Sequence, residues 1–240
     1  MLLIGGKVYE FQPMPTIHFG HFKPLAYVLN PKVASTHTLN FLFYVNHGYR
    51  YYNPHIIYRS ATAKVTLRGP EFDPADLSLY MRLAPETFTI VRDPLRRFIS
   101  GFLSKILSED DVEMEGFRDL LTSLHEVDLS PEADPARSCV AFARWVAAQE
   151  DQWLIDPHFR PQHMNLGIGS RFSIDTVLRI EDRDAILAYY GRWIGEEKAK
   201  WFLGLRFNEQ TKYKSDELVS DELVALVREI YRKDYELFYR

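Results

Sequence analysis

The sequence has little cysteine: Cys139 is the only one among 240 residues. A single cysteine excludes an internal disulfide and a cysteine-rich zinc site, which fits a reducing compartment. Long apolar runs are also missing, since none approaches the roughly 18 consecutive apolar residues that a membrane helix needs. The opening stretch "MLLIGGKVYEF" is too short an apolar run for a signal peptide. We therefore expect a soluble, cytoplasmic protein without a transmembrane segment.

An excess of positive charge is lacking as well. The 29 lysines and arginines are outnumbered by 33 acidic residues, and the formal net charge is -4. This balance argues against a nucleic-acid partner, so any anion site must be a local cluster of basic groups. The eight histidines show no spacing typical of a metal site, and no metal is expected. Apolar residues, in contrast, make up 46% of the chain, which is enough for one sizeable core.

Apolar runs and helical patterns alternate along most of the chain. Three runs read as buried strands: "LAYVLN" (Leu25–Asn30), "FTIV" (Phe88–Val91) and "DTVLRI" (Asp175–Ile180). This alternation predicts a single α/β domain over residues 25–240, with a mostly parallel sheet flanked by helices, after an irregular lead-in over 1–24. Ligands of such sheets bind at the carboxyl ends of the strands. The helical patterns cover residues 36–48, 95–106, 117–124, 138–149, 184–195 and 216–239.

The stretch "NPKVAST" (Asn30–Thr36) joins the first strand to a helix. Pro31 ends the strand, and Ser35 or Thr36 can cap the helix, whose free N–H groups and positive dipole end attract a phosphate. Lys32 adds a full positive charge. The loop contains no glycine and lacks the glycine-lysine spacing of nucleoside triphosphatases. Taken alone, the stretch favours a capped turn that carries a solvated lysine over a phosphate site.

The stretch "VRDPLRRFIS" (Val91–Ser100) begins at the end of the second predicted strand. Asp93 suits the N-cap and Pro94 the first position of a helix, so both have a structural explanation. Arg92 has none, since a strand that only packs a core has no use for an arginine at its end. A guanidinium together with the hydroxyl of Ser100, eight residues on, can hold a phosphate monoester by charge-assisted hydrogen bonds.

In this order, the two stretches resemble the two signatures of sulfotransferases that use 3'-phosphoadenosine 5'-phosphosulfate (PAPS). The chain is similar to the carbohydrate sulfotransferases of the Golgi type and their bacterial homologues. The resemblance implies a P-loop nucleotide-kinase-like core and transfer of a sulfuryl group from PAPS to a hydroxyl, on a carbohydrate or a small molecule, without a metal. It implies that Lys32 is catalytic and that PAPS contacts Pro31, Lys32, Val33, Ala34, Ser35, Thr36, Arg92, Ser100 and, in a later loop, Lys212.

A third stretch, "DPHFRPQ" (Asp156–Gln162), is a proline-bounded loop that is similar to a segment of the same family. His158 is our first choice for the general base that takes the proton of the acceptor hydroxyl. Acceptor positioning and a purely structural role remain open for this residue. Some members of the family place the histidine before the Arg-Asp-Pro strand, where this chain has His55, and others use a carboxylate.

Two other functional classes remain open on the sequence. A nucleoside-triphosphate kinase could use the Lys32 loop with ATP and magnesium, and a binding module could keep the nucleotide site without catalysis. Three further side chains are predicted to lie at the surface: His37 on a helix, and Arg96 and Arg97 as solvated or salt-bridged groups.

Overall fold

The chain forms the α/β domain that the alternating pattern predicts. The computed structural model describes residues 2–4, 7–9, 16–19, 23–51, 86–108, 114–125, 127–130, 133–168, 173–205 and 214–240. The strands are β1 (Leu2–Ile4), β2 (Lys7–Tyr9), β3 (Ile17–Phe19), β4 (Leu25–Val28), β5 (Glu86–Val91) and β6 (Thr176–Arg179). The α-helices are α1 (Ser35–His47), α2 (Pro94–Gly101), α3 (Glu115–His125), α4 (Pro135–Ala147), α5 (Gln162–Asn165), α6 (Arg183–Ile194), α7 (Glu196–Leu203), α8 (Asp221–Ile230) and α9 (Arg232–Phe238).

Two compact units make up this domain. The sheet unit comprises residues 14–92 and 162–209, and the helical unit comprises residues 1–13, 93–161 and 210–240. In the sheet unit the strand order is β3-β4-β5-β6. The β4–β5 and β5–β6 pairs are parallel, and β3 runs antiparallel to β4. The predicted mostly parallel sheet is confirmed, and its parallel strands end at one common edge.

Aromatic packing holds α1 and α6 against the sheet. Phe41 of α1 stacks on Tyr190 of α6 with ring centroids 3.5 Å apart, and its edge meets Phe88 of β5. These side chains are fully buried, as is every residue of β4. Because burial of each aromatic side chain is worth a few kcal/mol, this core keeps the start of α1 against the strand ends.

Helix α2 belongs to the helical unit, and this helix begins with the N-cap residue that the sequence predicts. The Asp93 carboxylate accepts a hydrogen bond from the Arg96 N–H at 2.9 Å, and proline fills the first helical position. The chain then continues as a π-helix over Phe102–Ile106. A Cβ at Gly101 would lie 2.8 Å from the Phe159 ring, so glycine is needed for this close approach.

The two ends of the chain differ from the sequence-based expectation. Within the predicted irregular lead-in, β1 pairs with β2, and β3 joins the sheet with Ile17 and His18 buried. The predicted helix over 216–239 is divided into a 3-10 turn, α8 and α9. The last break falls at Tyr231, whose buried hydroxyl donates to the Phe159 carbonyl at 2.5 Å. This tertiary bond holds the residue at the break, which the helical spacing of apolar residues does not reveal.

Candidate functional site

The loop between β4 and α1 adopts an unusual backbone conformation. Lys32 has φ of 67° and Ala34 has φ of 58°, which places both in the left-handed region. This region costs an L-residue roughly 1–2 kcal/mol, so the glycine-free loop takes a conformation that glycine normally supplies. Strained backbone of this kind is kept at sites where its geometry is used. The loop is therefore the first component of the candidate site.

The start of α1 differs from the predicted cap. The N-cap residue is Ala34, which has no side-chain oxygen, and no side-chain cap bond is formed there. Ser35 lies one position inside the helix, and its hydroxyl donates to the Asn30 carbonyl at 2.5 Å. The expectation that Ser35 or Thr36 caps the helix is therefore wrong. In any helix the first-turn N–H groups have no intrahelical acceptor, and together with the helix dipole they make the N-terminal end suited to an anion.

Arg92 lies where the sequence predicts it, directly after β5. Its guanidinium Nη1 donates to the Lys32 carbonyl at 3.3 Å, so Arg92 and the loop are brought together in the sheet unit. Ser100 is half-buried in α2 of the helical unit. His55 and Lys212 lie outside the described residues.

A buried amide that the sequence analysis did not single out connects the strand ends. The Gln162 Oε1 atom accepts hydrogen bonds from Asn30 Nδ2 at 2.9 Å and from the Arg92 N–H at 3.0 Å. Its Nε2 group donates to the Arg92 carbonyl at 2.8 Å. The only sequence signal for this role is the position of Gln162 at the end of the family-like "HFRPQ" segment.

A pocket of about 410 Å³ opens beside the loop within the sheet unit. Ala34, the N-cap residue of α1, lines this pocket together with apolar side chains and two basic ones. A ligand whose phosphate lies at the loop can therefore extend into a mostly apolar space. The lining residues are Ala34, His37, Ile90, Ile180, Arg183, Ile186, Tyr190, Leu203 and Gly204.

His37 lines this pocket, and its prediction as a surface residue is wrong. Its Nε2–H donates to the Phe202 carbonyl at 3.1 Å, and its ring stacks on Tyr190 at 6.0 Å. Burial lowers the pKa of His37, the carbonyl contact opposes this effect, and the charge of Arg183 lowers the pKa further. The net direction is down, so His37 is neutral at pH 7.

We expect the free energy of unfolding to fall as the pH drops below about 6.5, in part because of His37. The unfolded chain binds a proton at that pH, whereas the folded chain resists protonation, so acid favours unfolding. A single group contributes a slope of at most about 1.4 kcal/mol per pH unit. His37→Phe keeps a ring against Tyr190 and removes the titration. Urea unfolding at pH 7.5 and at pH 5.5 gives the free energy of unfolding at each pH. Its decrease between pH 7.5 and pH 5.5 should be smaller for the variant than for the wild type, and equal decreases would exclude His37 as the cause.

His158 forms a carboxylate–imidazole pair in the helical unit. Its Nδ1–H donates to Asp156 Oδ1 at 2.6 Å, and its backbone N–H donates to the same oxygen at 2.8 Å. Burial by itself raises the pKa of Asp156, but the His158 charge and hydrogen bonds outweigh it, with help from Lys105, and hold that pKa below its usual value. Asp156 therefore stays ionised and orients the ring. Within the part of the chain that the structure describes, the Nε2 atom of His158 has no partner.

The loop that carries His158 is anchored by buried arginines. Arg97 is only 1% exposed and donates to the Arg160 carbonyl at 2.9 Å and to the Pro157 carbonyl at 2.8 Å. The prediction of a surface role for Arg97 is wrong, because these two carbonyls take the place of water. The prediction for Arg96 is confirmed, since it forms an ion pair with Asp216 at the surface.

Comparison with known proteins defines the class that this fold and loop belong to. A family model described as the sulfotransferase family matches residues 19–240. The chain belongs to this family, as the order of its motifs predicts, and the match gives no support to the kinase alternative. None of the curated proteins and none of the solved structures matches the chain.

Two further findings concern only the described stretches of the chain. No helix there is long and apolar enough to cross a membrane. No group of three or more histidine, cysteine or acidic side chains is arranged there to hold a metal ion.

Proposed function

We propose that this sulfotransferase transfers a sulfuryl group from PAPS to a hydroxyl of a carbohydrate acceptor. The observation that carries the proposal is the strained loop at Lys32 and Ala34, which joins a strand end to a helix N-terminus beside Arg92. Such a loop directs backbone N–H groups and full positive charge to one place, as a phosphosulfate requires.

The donor is proposed to lie along the sheet unit from the loop into the adjoining pocket. Its 5'-phosphosulfate binds at the start of α1, where Ser35 and Thr36 supply first-turn N–H groups. Its nucleoside enters the pocket lined by His37 and Tyr190, whose walls are mostly apolar. The proposed contacts of Arg92, Ser100 and Lys212 with the 3'-phosphate rest on the resemblance of their motifs.

The proposed reaction is an in-line displacement at sulfur. The bond from sulfur to the bridging phosphate oxygen breaks as the acceptor oxygen bonds to sulfur. Negative charge grows on the leaving phosphate oxygen, and the ammonium group of Lys32 neutralises it. The Nε2 atom of His158 accepts the acceptor's proton, while Asp156 holds the Nδ1 side of the ring.

We expect the chain to bind 3'-phosphoadenosine 5'-phosphate (PAP) more tightly than 5'-AMP, without added metal. The additional phosphate gains charge-assisted hydrogen bonds worth roughly 1.5–3 kcal/mol each. The preference should thus be about tenfold or more in calorimetry. Ser100→Ala should reduce it, whereas the matched variant Ser104→Ala should not. Equal affinities of the wild type for PAP and 5'-AMP would contradict the proposed 3'-phosphate site. Tighter binding of ATP with magnesium than of PAP would favour a kinase.

A further inference from the structure

Gln162 is a fully buried polar side chain whose amide lies between two strand ends. Its carbonyl oxygen accepts from the Asn30 side chain and from the Arg92 N–H, and its amino group donates to the Arg92 carbonyl. Gln162 is 0% exposed. Burial of an amide is costly unless it is hydrogen-bonded, so these contacts hold the side chain in one orientation.

Two series of hydrogen bonds connect the Gln162 side chain to the loop between β4 and α1. In the first, Asn30 donates to Gln162 and to the Ile90 carbonyl at 3.1 Å, and its own carbonyl accepts the Ser35 hydroxyl. In the second, Gln162 binds both backbone groups of Arg92, whose guanidinium donates to the Lys32 carbonyl. The loop between these ends holds the left-handed residues, so it depends on its surroundings to keep that conformation.

We propose that Gln162 is a positioning residue of the donor site, an inference that rests on the proposed function. Gln162 holds the ends of β4 and β5 in register, and through Asn30 and Arg92 it fixes the loop that receives the phosphosulfate. It touches no substrate itself. Its loss therefore loosens the loop locally and weakens nucleotide binding beyond any general loss of stability.

The test compares Gln162→Met with Thr89→Val. Methionine is close to glutamine in size and makes none of the three hydrogen bonds. Thr89 is equally buried in the same sheet, and its hydroxyl donates to the Val28 carbonyl at 2.8 Å, with a longer contact to the Ile90 carbonyl at 3.5 Å. Its replacement by valine therefore removes a buried hydroxyl of the same sheet and leaves all three hydrogen bonds of Gln162 in place. We expect Gln162→Met to raise amide hydrogen exchange at residues 30–36 at least tenfold and to weaken PAP binding at least tenfold. Thr89→Val should leave both near the wild-type values.

A second variant decides the matter if Gln162→Met does not fold. In Gln162→Glu, a carboxylate keeps the acceptor oxygen but repels the Arg92 carbonyl, whereas the protonated carboxyl group donates to that carbonyl as the amide does. The PAP affinity of this variant, divided by that of the wild type, should therefore rise as the pH falls from 8 to 6.

Two results would overturn the positioning role. One is hydrogen exchange over 30–36 in Gln162→Met that matches Thr89→Val, and the other is a pH-independent affinity ratio for Gln162→Glu. If the wild type itself does not bind PAP, the proposed function fails, and the exchange comparison still decides the role of Gln162.

Discussion

His158→Ala is expected to lower turnover by about 10²–10⁴-fold, the usual share of acid–base catalysis, with the affinity for PAP nearly unchanged. The proposed base meets the acceptor hydroxyl and not the nucleotide, so donor binding is spared. Asp156 is expected to affect turnover through its hydrogen bond to His158. Because Asp156→Asn replaces an ionised acceptor of the Nδ1–H by a neutral amide, turnover should fall as well, by about tenfold or more.

The measurement is steady-state kinetics with melting temperatures recorded beside it. His163→Ala is a matched control, since this histidine lies five residues on in α5 and has no proposed role in the reaction. A structural role of His158 would lower the melting temperature, and an acceptor-positioning role would raise the acceptor's KM while sparing kcat. If His55→Ala abolishes turnover in a folded protein and His158→Ala does not, the base lies before β5. A wild type that binds PAP and sulfates no hydroxyl acceptor would instead be a binding module.

Lys32→Gly is expected to lower kcat by about 10²–10³-fold at saturating donor, the usual cost of removing one donor group that stabilises transition-state charge. The affinity for PAP should fall much less, since the charge on the leaving oxygen grows mainly in the transition state. Glycine is the sharpest substitution here, because it favours the φ of 67° and so removes the ammonium group while keeping the shape of the loop.

The control for charge is Lys200→Ala, which removes a lysine of the same unit that pairs with Glu196 on the surface of α7. It should leave kcat and PAP affinity near the wild-type values. Lys32→Gly should also unfold at the same or a higher urea concentration than the wild type, because glycine adopts the left-handed conformation without the strain that lysine has there. Turnover of Lys32→Gly close to that of the wild type would mean that Lys32 is a surface lysine and that the loop does not serve the proposed reaction.

Local patterns in the sequence determined the three parallel strands, the start of α2 and the family. Short apolar runs predicted β4, β5 and β6, because buried parallel strands need apolar side chains on both faces. Asp93 and Pro94 predicted the start of α2, because capping depends on neighbours three residues away. The places of Lys32 and Arg92 at strand ends followed from the same local rules, and the order of their motifs predicted the sulfotransferase family.

Only the tertiary structure decided how the site is held. Gln162 binds Asn30 across 132 residues and Arg92 across 70, and no local pattern encodes contacts of that range. The left-handed conformation of the loop could not be predicted from the sequence, because Lys32 and Ala34 are not glycine. Surrounding hydrogen bonds, and not the intrinsic preference of these residues, hold the conformation. His37 and Arg97 have ordinary surface-type side chains in the sequence, and burial against distant carbonyls gave them other roles. A polar residue's burial depends on which distant groups fold around it, and this is the information that a single sequence carries least directly.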